Sequence, residues 1–212
     1  MKTSELIGAL AADPAPRGLS LRKGVAVAMA IGAAVSTVLF LATIGPRADI
    51  GAAAQTFRFD LKFVYTLALT LPSALLCLHL LRPDARPGAL GFMLGAPVLL
   101  LGGAIVVELL VVPSDLWGIR LVGINAVHCL TLIPVLSIAP LMALIYAMRA
   151  GAPENPTVAG ALAGAAAAGI AATIYATNCT DDSPLFVASW YPLATLIVVV
   201  AGALAGTRLL RW

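Results

Sequence analysis

The sequence predicts an all-α integral membrane protein with six transmembrane helices and both ends in the cytoplasm. Three observations carry this. First, 61% of the 212 residues are apolar and 11% are charged, against roughly 25% charged in an ordinary soluble domain. The mean hydropathy is +1.00. Second, the apolar residues fall into six runs, each about the 20 residues that cross a bilayer. Third, the Lys and Arg residues are distributed asymmetrically between the two sides those runs define. A soluble globular fold cannot hide this much apolar surface. A disordered chain needs low hydrophobicity, and a coiled coil needs charged e and g positions that are missing. The net charge of +3 reflects basic ends and loops, not a nucleic-acid surface.

The spans are predicted in order at 24–44, 63–81 with Pro72 inside, 89–112 with the acid Glu108, 126–148 with Pro134 and Pro140, 157–177, and 187–210. The fifth is almost all Ala and Gly. Residues 1–23 form a cytoplasmic N-terminal segment, and 24–212 form the six-helix domain. No signal peptide is expected: the first apolar run is longer than a signal-peptide core, and no cleavage pattern follows it. With the N-terminus inside, nine of the 13 Lys and Arg lie on the inner side and four (Arg47, Arg58, Lys62 and Arg120) on the outer. That is the sense of the positive-inside rule. Three small-xxx-small pairs occur, Gly91/Gly95, Gly160/Gly164 and Gly202/Gly206. They let backbones approach, within one chain or in a homodimer.

In the N-terminal segment, Thr3 or Ser4 can cap a short helix on which Leu6, Ile7 and Leu10 share a face. Asp13-Pro14 closes it. Two readings stand: an interfacial anchor on membrane lipid, or an apolar face that docks in a groove on a soluble partner.

Three cysteines occur, Cys77, Cys129 and Cys179, with no Cys-x-x-Cys pair. This argues against a membrane disulfide-generating enzyme. Cys77 reads as a small buried hydrophobe. The other two are related by geometry. Spans four and five form a hairpin whose inner turn, 149–156, has its midpoint at 152.5, and the midpoint of 129 and 179 is 154. Both cysteines therefore sit at one height near the outer end. The outer turn 113–125 centres on 119, and 108 and 129 centre on 118.5, so Glu108 reaches a similar depth. The outer rim thus gathers Glu108, His128, Cys129, Cys179, Asp181 and Asp182. A carboxylate inside a span is costly and marks function. Thiolate with imidazole suits a soft or borderline metal such as cadmium or zinc, so His128, Glu108, Asp181 and Asp182 are candidate ligands beside the cysteines. An oxidising compartment would instead join the thiols, and the two cysteines can also be unrelated. No resident cofactor is called for. With no phosphate loop, His-Glu-x-x-His or nucleophile elbow in the sequence, enzyme function is not expected.

Several stretches together resemble one family. They are the start Met1-Lys2-Thr3 through Leu6-Ile7 and Leu10 to Asp13, the stretch His128-Cys129-Leu130, Ala152-Pro153-x-x-Pro156, the block Tyr175-x-x-Asn178-Cys179-x-Asp181-Asp182-Ser183-Pro184 with Phe186 and Trp190-Tyr191, and the terminal Leu209-Leu210-Arg211-Trp212. The pattern resembles the NrsF-type anti-sigma factors, six-span inner-membrane proteins of bacteria. The resemblance implies a negative regulator of transcription that holds an extracytoplasmic-function (ECF) sigma factor at the membrane through its cytoplasmic face. It also implies a heavy-metal stress response sensed by two outer cysteines, which match Cys129 and Cys179, and no contact with nucleic acid. The rival from another class is a small transporter or channel using Glu108 and the helices broken by Pro72, Pro134 and Pro140. Against it, buried ionisable residues are few and no internal repeat is clear.

Overall fold

The computed structural model describes residues 20–82 and 85–211, together with Thr3 and Gly8. Leu6, Ile7 and Leu10, the expected docking face, lie outside the described residues. The described chain is helical: α1 (Leu21–Thr43), α2 (Ile50–Ala53), α3 (Phe57–Leu80), α4 (Gly88–Phe92), α5 (Ala96–Val111), α6 (Trp117–Val122), α7 (Ala126–Met148), α8 (Pro156–Ala176) and α9 (Pro184–Leu209). Six stretches are long and apolar enough to cross a membrane, α4 and α5 counting as one through a 3₁₀ turn at Met93–Gly95.

The fourth span has the predicted bounds. The second starts six residues earlier, at Phe57. Thr56 caps it by accepting from the Phe59 N–H, and Asp60 sits in its first turn, where the helix dipole favours an acid. Hydropathy stops at Arg58, Asp60 and Lys62, but the backbone does not. The sixth starts at Pro184, because Ser183 caps the helix and proline is pre-organised for its first position. Asn155 and Pro156 open α8 the same way, with the Val158 N–H bonded to Asn155 Oδ1 at 3.1 Å.

α8 is the central post, packed against α9, α3 and α7, and most of its surface is buried. Its small side chains make this possible. A Cβ on Gly160 would strike the backbone of Gly202 and Gly206, and one on Gly164 the backbone at Val198. Gly202 and Gly206 reciprocate against Gly160, Gly164 and Pro156. Two of the three small-xxx-small pairs therefore meet each other inside one chain. Gly95, of the third, faces open space.

α1 docks on α7 at a proline. Pro140 has no N–H, so it leaves the Leu136 carbonyl without its helical donor. The Ser36 hydroxyl on α1 supplies one at 2.6 Å, fully buried. One turn away, Gly32 lies against the Pro140 ring so closely that a Cβ has no room. α5 is the most peripheral span, touching α9 and α3 and exposing most of its surface, as a lipid-facing helix does.

Candidate functional site

The chain's polar chemistry gathers at the end of the bundle opposite residues 20 and 211, around the loop 177–183 between α8 and α9. α8 ends at Ala176, and Ser183 caps α9 by accepting from the Leu185 N–H at 3.3 Å. Cys179 lies in this short loop and Cys129 in the first turn of α7. Both are 0% exposed. Their thiols lie close enough to perturb one another, and all three cysteines are free. The buried Tyr175 and Tyr191 hydroxyls lie near the thiol pair, with no hydrogen-bond partner among the described residues. Tyr65 packs edge-on against Tyr191 at 6.4 Å, and Tyr175 lies 6.3 Å from Tyr191 between ring centroids. The Cys179 thiol also donates to the Asp181 carbonyl at 3.8 Å. The Cys129 S–H donating to Cys179, with the Lys62 charge nearby, holds the Cys179 thiol below its ordinary range despite burial. Of the two, Cys179 is the more acidic thiol and Cys129 the less acidic one.

An ionic latch grips the same loop. Lys62, on α3 and 0% exposed, donates to the Cys179 carbonyl at 2.8 Å and pairs with Asp182 at 2.5 Å. Arg47 pairs with Asp182 at 2.9 Å and reaches the Cys179 carbonyl at 3.4 Å. It forks onto Asp49 at 2.7 and 2.8 Å. Asp49 and then Asp182 raise the Arg47 pKa, while Arg47 lowers that of Asp49. A backbone bond from Arg47 N to Thr177 O at 3.0 Å and a side-chain bond from Asn178 Nδ2 to Gly45 O at 2.9 Å tie the α1–α2 segment to the loop.

Two further clamps complete the hub. Glu108, at 3% exposed, accepts from Arg58 and Arg120, each at 2.7 Å, and from Ser183 at 3.2 Å. It thereby joins α3, α5, α6 and the start of α9. Asp181 accepts from the N–H groups of Ile124 and Asn125 at 3.0 and 2.8 Å and from Asn125 Nδ2 at 2.9 Å. Gly123 makes this approach possible. Its φ is +60°, and a Cβ there would collide with Asp181 and Phe186. A polar cleft of about 350 Å³, lined by Arg58, Arg120, Thr180, Asp181, Asp182 and Ser183, opens beside the loop.

The cysteines, Asp181 and Asp182 are thus brought together, and Glu108 joins through Ser183. Among the described residues, no group of three or more His, Cys, Asp and Glu converges to hold a metal ion. His128 is exposed: it is one residue from Cys129, and a helix turns about 100° per residue. Glu108, Asp181 and Asp182 spend their oxygens on arginine, lysine and backbone N–H groups. The two thiols remain as the soft donors. Cys77 sits far from them, its thiol against the Ala159 carbonyl at 3.9 Å. Sequence reasoning counted Lys62, Arg47, Arg58 and Arg120 only as the four outer-side cations and gave them no role in the site. The one available signal was a lysine within a turn of an apolar run, opposite Asp182.

This architecture defines a multi-pass helical membrane protein whose polar residues are concentrated in one buried hub. The description "negative regulator of sigma F" (NrsF) matches residues 10–212. The chain is 33% identical to a probable anti-sigma-F factor NrsF from Azospira oryzae over 213 residues, and 34% identical to the anti-sigma-F factor NrsF from Caulobacter vibrioides over 225. Both alignments cover all of both chains. No solved structure matches at a significant level. The chain belongs to the NrsF family.

Proposed function

We propose that this protein is an anti-sigma factor of the bacterial inner membrane, with both ends in the cytoplasm. It sequesters an ECF sigma factor there and releases it when the thiol pair Cys129 and Cys179, facing the periplasm, meets a heavy-metal ion or an oxidant. The observation that carries the sensing part is the closeness of two free thiols in a loop that every neighbouring segment grips. A soft metal such as cadmium or zinc needs two such donors close together, and an oxidant would join them. Either event changes the sulfur separation and moves the loop. The nine-to-four division of Lys and Arg supports the orientation. Relatives named for anti-sigma-F activity support the partner. The apolar face Leu6, Ile7 and Leu10 is the proposed docking element.

The test is a sigma-dependent reporter in four strains exposed to cadmium. Wild type and Cys77→Ser induce; Cys129→Ser and Cys179→Ser do not, and the double mutant matches either single, since members of one unit are non-additive. Full induction in either outer-cysteine mutant refutes the two-thiol switch. A reporter fused after Trp212 should report the cytoplasm. Leu6→Asp with Leu10→Asp should free the sigma factor at unchanged protein level.

A further inference from the structure

We propose that the end of the bundle carrying the described chain termini holds a specific site for an anionic phospholipid, seated between α1 and α7. A cavity of about 740 Å³ opens there. Its apolar wall is Val27, Ala28 and Ile31 from α1 and Ala143 and Ala147 from α7, and its rim carries Arg149 and Arg211. The groove exists because small side chains face each other: Gly24 and Ala28 on one helix, Ala143 and Ala147 on the other. From Gly24 to Ile31 it follows α1 for about 10 Å, descending from the helix terminus into the span. Its shallow end is cationic and its deep end is apolar.

Two facts fix the occupant. The first is charge. Neither the Arg149 nor the Arg211 guanidinium has a hydrogen-bond or ion-pair partner among the described residues, although both line one cavity. At the far end Arg47, Arg58 and Arg120 are all paired with carboxylates. Two unpaired forks at the mouth of a greasy groove suit a phosphodiester, which a guanidinium can bind through two parallel hydrogen bonds. The second is position. The groove lies at the end of membrane-length helices, where a phospholipid puts its phosphate at the rim and a tail along the wall. Basic pockets between helices are how membrane proteins select anionic lipid. Exposed Tyr146 flanks the mouth at the level where aromatic residues meet headgroups.

The test competes phosphatidylglycerol against phosphatidylcholine of the same chain length for the purified full-length protein in neutral detergent, read by native mass spectrometry. Wild type should prefer phosphatidylglycerol about twenty-five-fold, the product of two arginine contacts of about fivefold each. Arg149→Gln with Arg211→Gln should bring the preference close to parity while the protein stays folded, since both positions are at the surface. Arg82→Gln with Arg86→Gln, at the same end outside the groove, should keep it. Ala143→Phe, which fills the groove, should lose both lipids. Glycerophosphoglycerol, the headgroup without tails, should not compete. The proposal is overturned by any of four results: no preference in wild type, a preference that survives loss of both groove arginines, an equal loss in Arg82→Gln/Arg86→Gln, or competition by the bare headgroup.

Discussion

Replacing Lys62 by Met removes the buried cation and keeps the length of the side chain. In the native hub its buried ammonium serves two acceptors, the Cys179 carbonyl at 2.8 Å and Asp182 at 2.5 Å. Removing one partner of a buried pair costs roughly 3–5 kcal/mol when the other charge is left uncompensated. Asp182 is not left so: Arg47 still pairs with it at 2.9 Å, and its side chain is 20% exposed. The expected cost is therefore about 2–3 kcal/mol. For a chain of this size that is a fall in Tm of about 5–10 °C, measured by thermal unfolding in detergent. The double change Lys62→Met with Asp182→Asn should recover at least half of it, because the remaining Arg47 keeps its fork on Asp49. Lys62→Met should also leak sigma-dependent transcription without inducer at normal protein level, since the loop under Cys179 loses a brace. An unchanged Tm with full repression would refute the latch. A double variant no more stable than the single would mean that Lys62 is held for some reason other than Asp182.

Five further expectations follow from the geometry. Gly123→Ala must adopt φ near +60° with its Cβ against Asp181 and Phe186; it should cost about 2–3 kcal/mol and raise basal reporter activity. Cys179 is acidified chiefly by the Cys129 thiol, so its alkylation rate should rise with pH at a lower inflection than an ordinary thiol; Cys129→Ala should move that inflection upward, and an unmoved one would remove Cys129 as the cause. A group with a depressed folded pKa stabilises above its ordinary pKa, and that contribution is lost as pH falls through the folded value; the wild-type stability advantage over Cys179→Ala should therefore shrink on acidification. Gly202→Leu drives a side chain into the Gly160 backbone and should cost more than about 3 kcal/mol, visible as a collapse in membrane level. Ser36→Ala leaves the Leu136 carbonyl buried without a donor and should cost about 1–2 kcal/mol.

The spans were readable because the bilayer imposes one crude requirement, about 20 apolar residues, and six runs meet it. The fourth was bounded correctly because Asn125 and Arg149 flank it with polar residues on both sides. The second was bounded too late because hydropathy scores a lysine as an exit from the membrane, whereas Lys62 enters the protein and finds Asp182. Sequence spacing gave the cysteines a common height, since residues symmetric about a hairpin turn share a level. It carried no information on rotation about α7, and rotation is what separates buried Cys129 from exposed His128. The glycine pairs were readable as close-contact faces, but which face met which was not. That choice depends on α8 lying at the centre, a property of the assembled bundle.

On the proposed reading, a reaction at the thiols has to reach the opposite end of the bundle, and the packing suggests where. The loop 177–183 is braced from α1–α2, α3, α5 and α6, so a displaced Cys179 cannot relax by bending its own loop. The α8–α9 seam is backbone against backbone at Gly160, Gly164, Gly202 and Gly206, and such a contact does not slide by small steps. α7 is different. It carries Cys129 in its first turn, ends at Met148 beside the opposite turn, and is interrupted by Pro134 and Pro140. It packs along α1, and at mid-height that interface includes a serine bond and a glycine contact at Pro140. Pulling or pushing Cys129 would therefore pivot α7 about Pro140 and carry α1, and with it the N-terminal segment, more readily than it would move the α8–α9 pair. A ligand shifts that balance only by binding the pivoted state more tightly. Ser36→Ala then separates sensing from response: the thiols should still take up metal with wild-type stoichiometry while induction falls. Wild-type induction in Ser36→Ala would move the transmitting element from the α1–α7 contact to another seam of the bundle.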